Sequence, residues 1–292
     1  MSAHLEIVDT FPAFVAFFPE VASRSLPDQI EAWETTYMSQ WPELLQKQKL
    51  CYAEEGEDWQ AIAQKRIFPR LAERLPVLAT VHENLLPVLH PTFARARAAL
   101  GFEKEVIFAL YVGLGCGAGW ATTYQDTPAV LFGLENAAEE GWTAQETLRG
   151  LVAHELGHLA HAHWRAEAGL EKGSGPWWQL YSEGFAQRCE HLVHGRPTWH
   201  MTAGYDEKGG WYFWCRSNES WLAQEFLRRV EAGESLRPFF GSWHDLQGHK
   251  QGGYYLGHEV LRQLEKEQDL HTLALLDDVE GTMREVLERM SH

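Results

Sequence analysis

The chain has 292 residues, with 41 acidic side chains against 25 basic ones and a formal net charge of −16. A surface this negative repels phosphate backbones and anionic lipid, which argues against nucleic-acid and membrane-surface binding and leaves divalent cations open as partners. Hydrophobic residues at 45% and charged residues at 23% suit a globular protein with a sizeable core, not a disordered chain.

No apolar run approaches the ~20 residues of a spanning helix. Glu6 and Asp9 stand where a signal peptide would carry basic residues, so an unsecreted, cytoplasmic protein is expected. Cys51, Cys116, Cys189 and Cys215 form no C-x-x-C pair and read as reduced, mostly buried thiols.

Residues 1–100 are expected to be a helical region, because segments 27–50 and 59–100 carry apolar residues at three- and four-residue spacing between prolines. The texture changes near Gly101. Segment 105–113 is rich in β-branched and aromatic residues and reads as a strand, as do 120–125 and 128–134. The intervening glycines, 113–119, lack a following G-K-[ST] and lead into a strand, so a hairpin or bulge is expected there rather than a phosphate loop. A long helix is expected over 143–164, with Thr143 as N-cap and Glu146 three residues on. A Gly-Ser-Gly-Pro loop at 173–176 precedes a helix starting at Ser182, and the last helix is expected over 278–290.

The chemistry concentrates in His154-Glu155-Leu156-Gly157-His158. Residues four apart on a helix lie one above the other, so two imidazoles can grip one metal ion from the same face. Glu155 is rotated by ~100° about the helix axis and falls beside the ion, where it can take a proton from a water there. The bland alternative is a pair of hydrogen-bonded core histidines. His161 and His163 follow on the same helix; His161 reads as a pocket wall or support, and His163 as structural. The metzincin pattern is excluded, since its third histidine position holds Trp164.

The best third ligand is Glu183 in Tyr181-Ser182-Glu183-Gly184-Phe185-Ala186, 25 positions after His158. Gln187 and Glu190 share its helix face, and either could accept the free N–H of a ligand imidazole. An ordinary solvated face is the alternative. Two imidazoles favour Zn²⁺ over Mg²⁺ or Ca²⁺. The tryptophans at 164, 177, 178, 199, 211 and 214 either line a pocket or fill the core.

H-E-x-x-H followed by E-G-F-A resembles the gluzincin zinc peptidases, and the second motif is particularly similar to that of the gluzincin aminopeptidases, with Ser182 in place of their Asn. Glu190, seven positions after Glu183, also matches their pattern. Gly253-Tyr254-Tyr255-Leu256-Gly257 is similar to their Tyr-x-x-Gly segment, which supplies the tyrosine that stabilises the oxyanion; on that alignment it is Tyr254, with Tyr255 as the fallback. Phe132-Gly133-Leu134-Glu135-Asn136 departs from their G-x-M-E-N. Glu135 is therefore either an anchor for a substrate amine, or part of a segment whose strand, 130–134, is a sheet edge for an extended substrate. The last third of the chain also resembles a group of uncharacterised predicted zinc-dependent proteases of the same clan. The resemblance covers residues 105–290.

What this implies is a helix-rich α+β zincin-like protein: an N-terminal helical region at 1–100 and a catalytic region at 101–292. The latter would comprise a small mixed sheet and the H-E-x-x-H helix (101–165) and a helical lobe carrying the third ligand (166–292). The implied activity is that of a zinc metallopeptidase acting on peptide or protein substrates, with one Zn²⁺ on His154, His158 and Glu183, Glu155 as general base and Tyr254 as oxyanion donor. The alternatives are a non-catalytic or regulatory protein on the same scaffold, and a zinc amidase with non-peptide substrates.

Overall fold

The structure is a computed structural model that describes residues 4–54, 56–202 and 210–292. The chain is helix-rich α+β, with a small mixed sheet. In chain order the elements begin with β1 (Leu5–Asp9), α1 (Phe11–Val21), α2 (Leu26–Ala32), α3 (Pro42–Glu54), α4 (Trp59–Ile62) and α5 (Phe68–Leu100). There follow β2 (Val106–Tyr111), β3 (Trp120–Tyr124), β4 (Thr127–Gly133), α6 (Leu134–Glu139), α7 (Gln145–Glu167) and α8 (Gly175–His194). The last are α9 (Trp211–Ser217), α10 (Glu219–Glu231), α11 (Arg237–Phe240), α12 (Gly252–Leu264), α13 (Leu270–Ala274) and α14 (Val279–Met290). None of the described helices is long and apolar enough to cross a membrane.

Two compact units emerge, one from residues 1–91 and 103–149, the other from 92–102 and 150–292. The first holds the sheet, in the order β1-β2-β4-β3. β1 and β4 flank β2 in parallel, and β3 closes the row antiparallel to β4. Every residue of β2 is buried, as expected for a parallel strand covered on both faces. Trp33, between α2 and α3, adds its full bulk to this core and donates its indole N–H to the Val112 carbonyl at 3.0 Å.

Several expectations change here. Residues 5–9 form a strand rather than helix, in register with 106–110; a five-residue strand whose partner is a hundred positions away leaves little periodic signal. The sheet therefore draws on both sides of the boundary expected at residue 100. The glycine-rich segment 113–119 is not a hairpin turn, because β4 lies between β2 and β3. The hairpin is at Gln125-Asp126, between β3 and β4, where both residues have positive φ (51° and 59°), the backbone of a type I′ turn. Nor is 130–134 a sheet edge, since β4 is paired on both sides.

In the second unit α8 is central. It begins at Gly175 with Pro176 in its first turn, where proline's missing N–H costs nothing, so Ser182 lies inside the helix rather than capping it. α12 likewise begins at Gly252, which places Tyr254 in its first turn. Gly184 and Gly257 set the crossing of α8 and α12: a Cβ on Gly184 would sit 2.2 Å from the Gly257 carbonyl carbon. Gly157 does the same for α7 and α8, where a Cβ would come within 2.6 Å of Cys189 Cβ. The glycines of three sequence motifs thus let three helix backbones approach closely.

Candidate metal centre

His154 and His158 project from one face of α7, as the four-residue spacing requires. Their rings stand 4.9 Å apart, centroid to centroid, and nearly perpendicular at 80°. From α8, one carboxylate oxygen, Glu183 Oε2, meets both: it lies 3.2 Å from His154 Nε2 and 3.3 Å from His158 Nε2. Two ligand atoms held at 2.0–2.1 Å on a tetrahedral zinc would stand ~3.3 Å apart. The donor set, its spacing and its mixed nitrogen and oxygen chemistry therefore fit a Zn²⁺ ion.

The electrostatics suit two members of that donor set directly, His154 and Glu183. Burial lowers His154 to about 4, with Glu183 only partly offsetting it, so this imidazole is neutral with a lone pair to give. Burial acts the same way on His158, but the charges of Glu183 and Glu155 outweigh it and leave the ring above the ordinary histidine value. Burial would raise the Glu183 carboxyl, yet the two imidazoles hold it well below the usual carboxylate range. The anionic Glu183 carboxylate and the neutral His154 imidazole are in the protonation states that bind metal, whereas His158, held up by the two carboxylates, would release a proton on binding it.

Supporting contacts follow. Ser182, one residue before the carboxylate, sets its Oγ 3.2 Å from His158 Nδ1. With Nε2 directed at the metal position, Nδ1–H donates to that hydroxyl and fixes the ring's orientation. Glu155 is buried beside His154. The Tyr254 ring lies 5.6 Å from that of His154, whereas the Tyr255 hydroxyl donates to Glu219 Oε2 at 2.7 Å. Of the two tyrosines, it is Tyr254 that faces His154.

A second histidine–carboxylate group shares His154. Glu190 and His200 lie close enough to His154 for all three to offer ligand atoms to one ion, and all are buried. Glu190 Oε2 accepts from His200 Nδ1 at 2.7 Å and Oε1 accepts from the His200 amide at 3.2 Å. The His200 ring stands 4.9 Å from that of His154. His154 Nδ1 is buried without a hydrogen-bond partner. Glu190 thus lies beside the ligand imidazole, as expected, but engages His200, a residue the sequence did not single out. It follows the loop at 195–199 and carries no helical spacing to mark it. Gln187, the other candidate, donates instead to the Thr198 carbonyl at 2.8 Å.

Of the two roles expected of His161, pocket wall or support, its burial removes the first. It is buried between Trp178 and Phe185, stacked at 17° and 23°, and bonds the Tyr181 hydroxyl at 3.1 Å. Burial pushes it down to about 3, so it is a neutral core residue. His163 packs edge-on against Phe102. Of the tryptophans, Trp177 and Trp211 are core, while Trp199 lines a cavity.

Glu135 belongs to the first unit. It is buried at the start of α6 and accepts from the Gly115 amide at 2.9 Å. Burial raises its carboxyl to about 7 against the pull of the Gly113 and Gly115 amides. Comparison of the chain with family models, with curated proteins and with solved structures gave no match.

Proposed function

We propose that this chain is a zinc-dependent peptidase of the gluzincin kind, acting on peptide or protein substrates. The observation that carries this reading is the convergence of both H-E-x-x-H imidazoles on a single Glu183 oxygen, at 3.2 and 3.3 Å. His154, His158 and Glu183 hold the metal, and Ser182 keeps the His158 ring turned towards it. A divalent ion in that site supplies Lewis acidity and makes a water molecule easier to deprotonate.

Glu155 then takes the proton from the attacking water and delivers it to the amine nitrogen as the peptide bond breaks. Tyr254 donates its hydroxyl to the carbonyl oxygen as that oxygen gains negative charge, while Tyr255, committed to Glu219, cannot. The net charge of −16 favours neutral or basic substrates over acidic ones.

The test is a fluorogenic peptide panel, run on zinc-reconstituted protein and on its Glu155→Gln and Tyr254→Phe variants. The wild type is expected to cleave. Glu155→Gln should retain zinc and lose on the order of 10²–10⁴-fold in kcat. Tyr254→Phe should lose ~10²-fold, mainly in kcat, as a donor to a developing oxyanion does. A zinc-loaded wild type that cleaves nothing, or a Glu155→Gln variant of full activity, would overturn the reading.

A further inference from the structure

The second unit contains a cavity of about 700 Å³ whose lining includes none of the candidate metal ligands. That volume lies within the ~300–1,000 Å³ range of small-molecule sites. α8 contributes Arg188 and His191, α9 contributes Tyr212 and Arg216, and α12 contributes Tyr255, His258 and Arg262. Each of α8 and α12 thus presents one face to the metal centre and a neighbouring face to this cavity.

The arginines of this cavity differ in how far they are paired: Arg188 meets Glu265 and Arg262 meets Glu259. Three arginines line it against two glutamates, Glu219 and Glu259. Both carboxylates are already engaged: Glu219 accepts from the Tyr255 hydroxyl, and Glu259 accepts from Arg262 and His258. The two histidines are spoken for as well. His191 Nε2–H donates to the Thr198 carbonyl at 2.6 Å and His258 Nδ1–H to Glu259 at 3.1 Å. Their other nitrogens therefore carry lone pairs, and both face Arg188 Nη1, at 3.3 and 3.0 Å. Arg188 Nε donates to Glu265.

These bonds hold the Arg188 guanidinium in place and leave its Nη2 hydrogens without an acceptor among the described residues. Arg216 is exposed and makes no ion pair among the described residues. Flat rings complete the wall: Trp199 and Tyr255 lie 6.0 Å apart at 29°, Tyr212 stands edge-on to Tyr255, and Phe213 is 60% exposed at the rim.

We propose that this cavity is a second ligand site, one that takes a small organic anion bearing a flat aromatic ring. Its carboxylate or phosphate is held by Arg188 and Arg216, and its ring packs against Trp199 and Tyr212. Planar guanidinium donors suit both anions, and the aromatic wall rewards a ring over a bare ion. The site stands independently of the proposed peptidase activity.

Calorimetric titration of the full chain tests it with two anionic aromatic probes, adenosine 5′-monophosphate for phosphate and N-acetyl-tryptophan for carboxylate. Adenosine, N-acetyl-tryptophan amide and inorganic phosphate serve as controls. At least one anionic aromatic probe is expected to bind about tenfold or more tightly than both its uncharged counterpart and inorganic phosphate, and Arg216→Gln should weaken it about tenfold, the loss of one charged hydrogen bond. Whichever probe responds identifies the anion. Arg216 has no described ion pair to break, so its variant is expected to fold; an unchanged circular dichroism spectrum checks this. Binding should persist in Glu183→Ala, which alters the metal centre alone. No binding of either probe, equal binding of the uncharged analogues, binding indifferent to Arg216→Gln, or binding lost in Glu183→Ala would each overturn the proposal.

Discussion

Two histidine–carboxylate groups share His154, and both have ligand atoms close enough to hold an ion. What separates them is exposure. In the first group His158 and Glu183 keep 17% and 20% of their side-chain surface exposed, and one Glu183 oxygen faces both imidazoles. In the second, Glu190 and His200 are 0% and 3% exposed, and both Glu190 oxygens are occupied by His200 itself. The first group is the more open of the two; in the second, both Glu190 oxygens bond His200. Proximity of ligand types alone thus does not rank the two groups; their burial differs, and the proposed function places the ion in the more exposed one.

The comparison can be broken most sharply at His158, which belongs to the first group alone. Removing one of three protein ligands by His158→Ala should weaken zinc on the order of a thousandfold or more. Metal competition with a chromophoric chelator measures it; unchanged affinity would move the ion to the second group.

Another carboxylate, the buried Glu135 in the other unit, sharpens the contrast, because backbone amides accompany it and, among the described residues, no imidazole bonds it. Burial lifts it from 4.5 to about 7, the opposite direction to Glu183. Its folded value exceeds its unfolded one, so between those pH values the unfolded chain loses its proton while the folded chain keeps it. Stability therefore falls as pH rises through that window, by about 3 kcal/mol in all. Glu135→Gln removes this loss and should flatten the pH dependence of chemical denaturation; an unchanged slope between pH 4.5 and 7 would contradict it.

The smallest effect belongs to the second group. Glu190→Gln and His200→Ala leave all three ligands in place and remove only their support, so zinc affinity should fall by ~10–100-fold. Complete loss of metal in either variant, with His158→Ala unaffected, would reverse the assignment of the two groups.

Much of this is legible in the sequence, and the limits have physical causes. Four-residue spacing dictates that His154 and His158 share a face, and the polar face of the following helix pointed to Glu183. The three sheet segments after Gly101 were legible because 106–111, 120–124 and 127–133 are rich in β-branched and aromatic residues. β1 was not, because five residues pairing across a hundred positions obey no local period. The glycines at 113–119 predict a hairpin or bulge, while the hairpin lies at Gln125-Asp126, two non-glycine residues that accept positive φ. Ser182 resembled an N-cap, but Pro176 starts the helix two turns earlier and frees the hydroxyl for His158. His161 repeated the helical spacing of the ligands, yet two aromatic neighbours claim it for the core. His200 reaches the centre through a loop, where spacing carries no information.

The most direct test is metal content after zinc loading and exhaustive dialysis, measured by mass spectrometry on the wild type and on Glu183→Ala. One zinc per chain in the wild type and none in the variant is the predicted result. A wild type that retains no zinc, or a Glu183→Ala protein that keeps a full equivalent, would contradict the claim that His154, His158 and Glu183 together hold the ion.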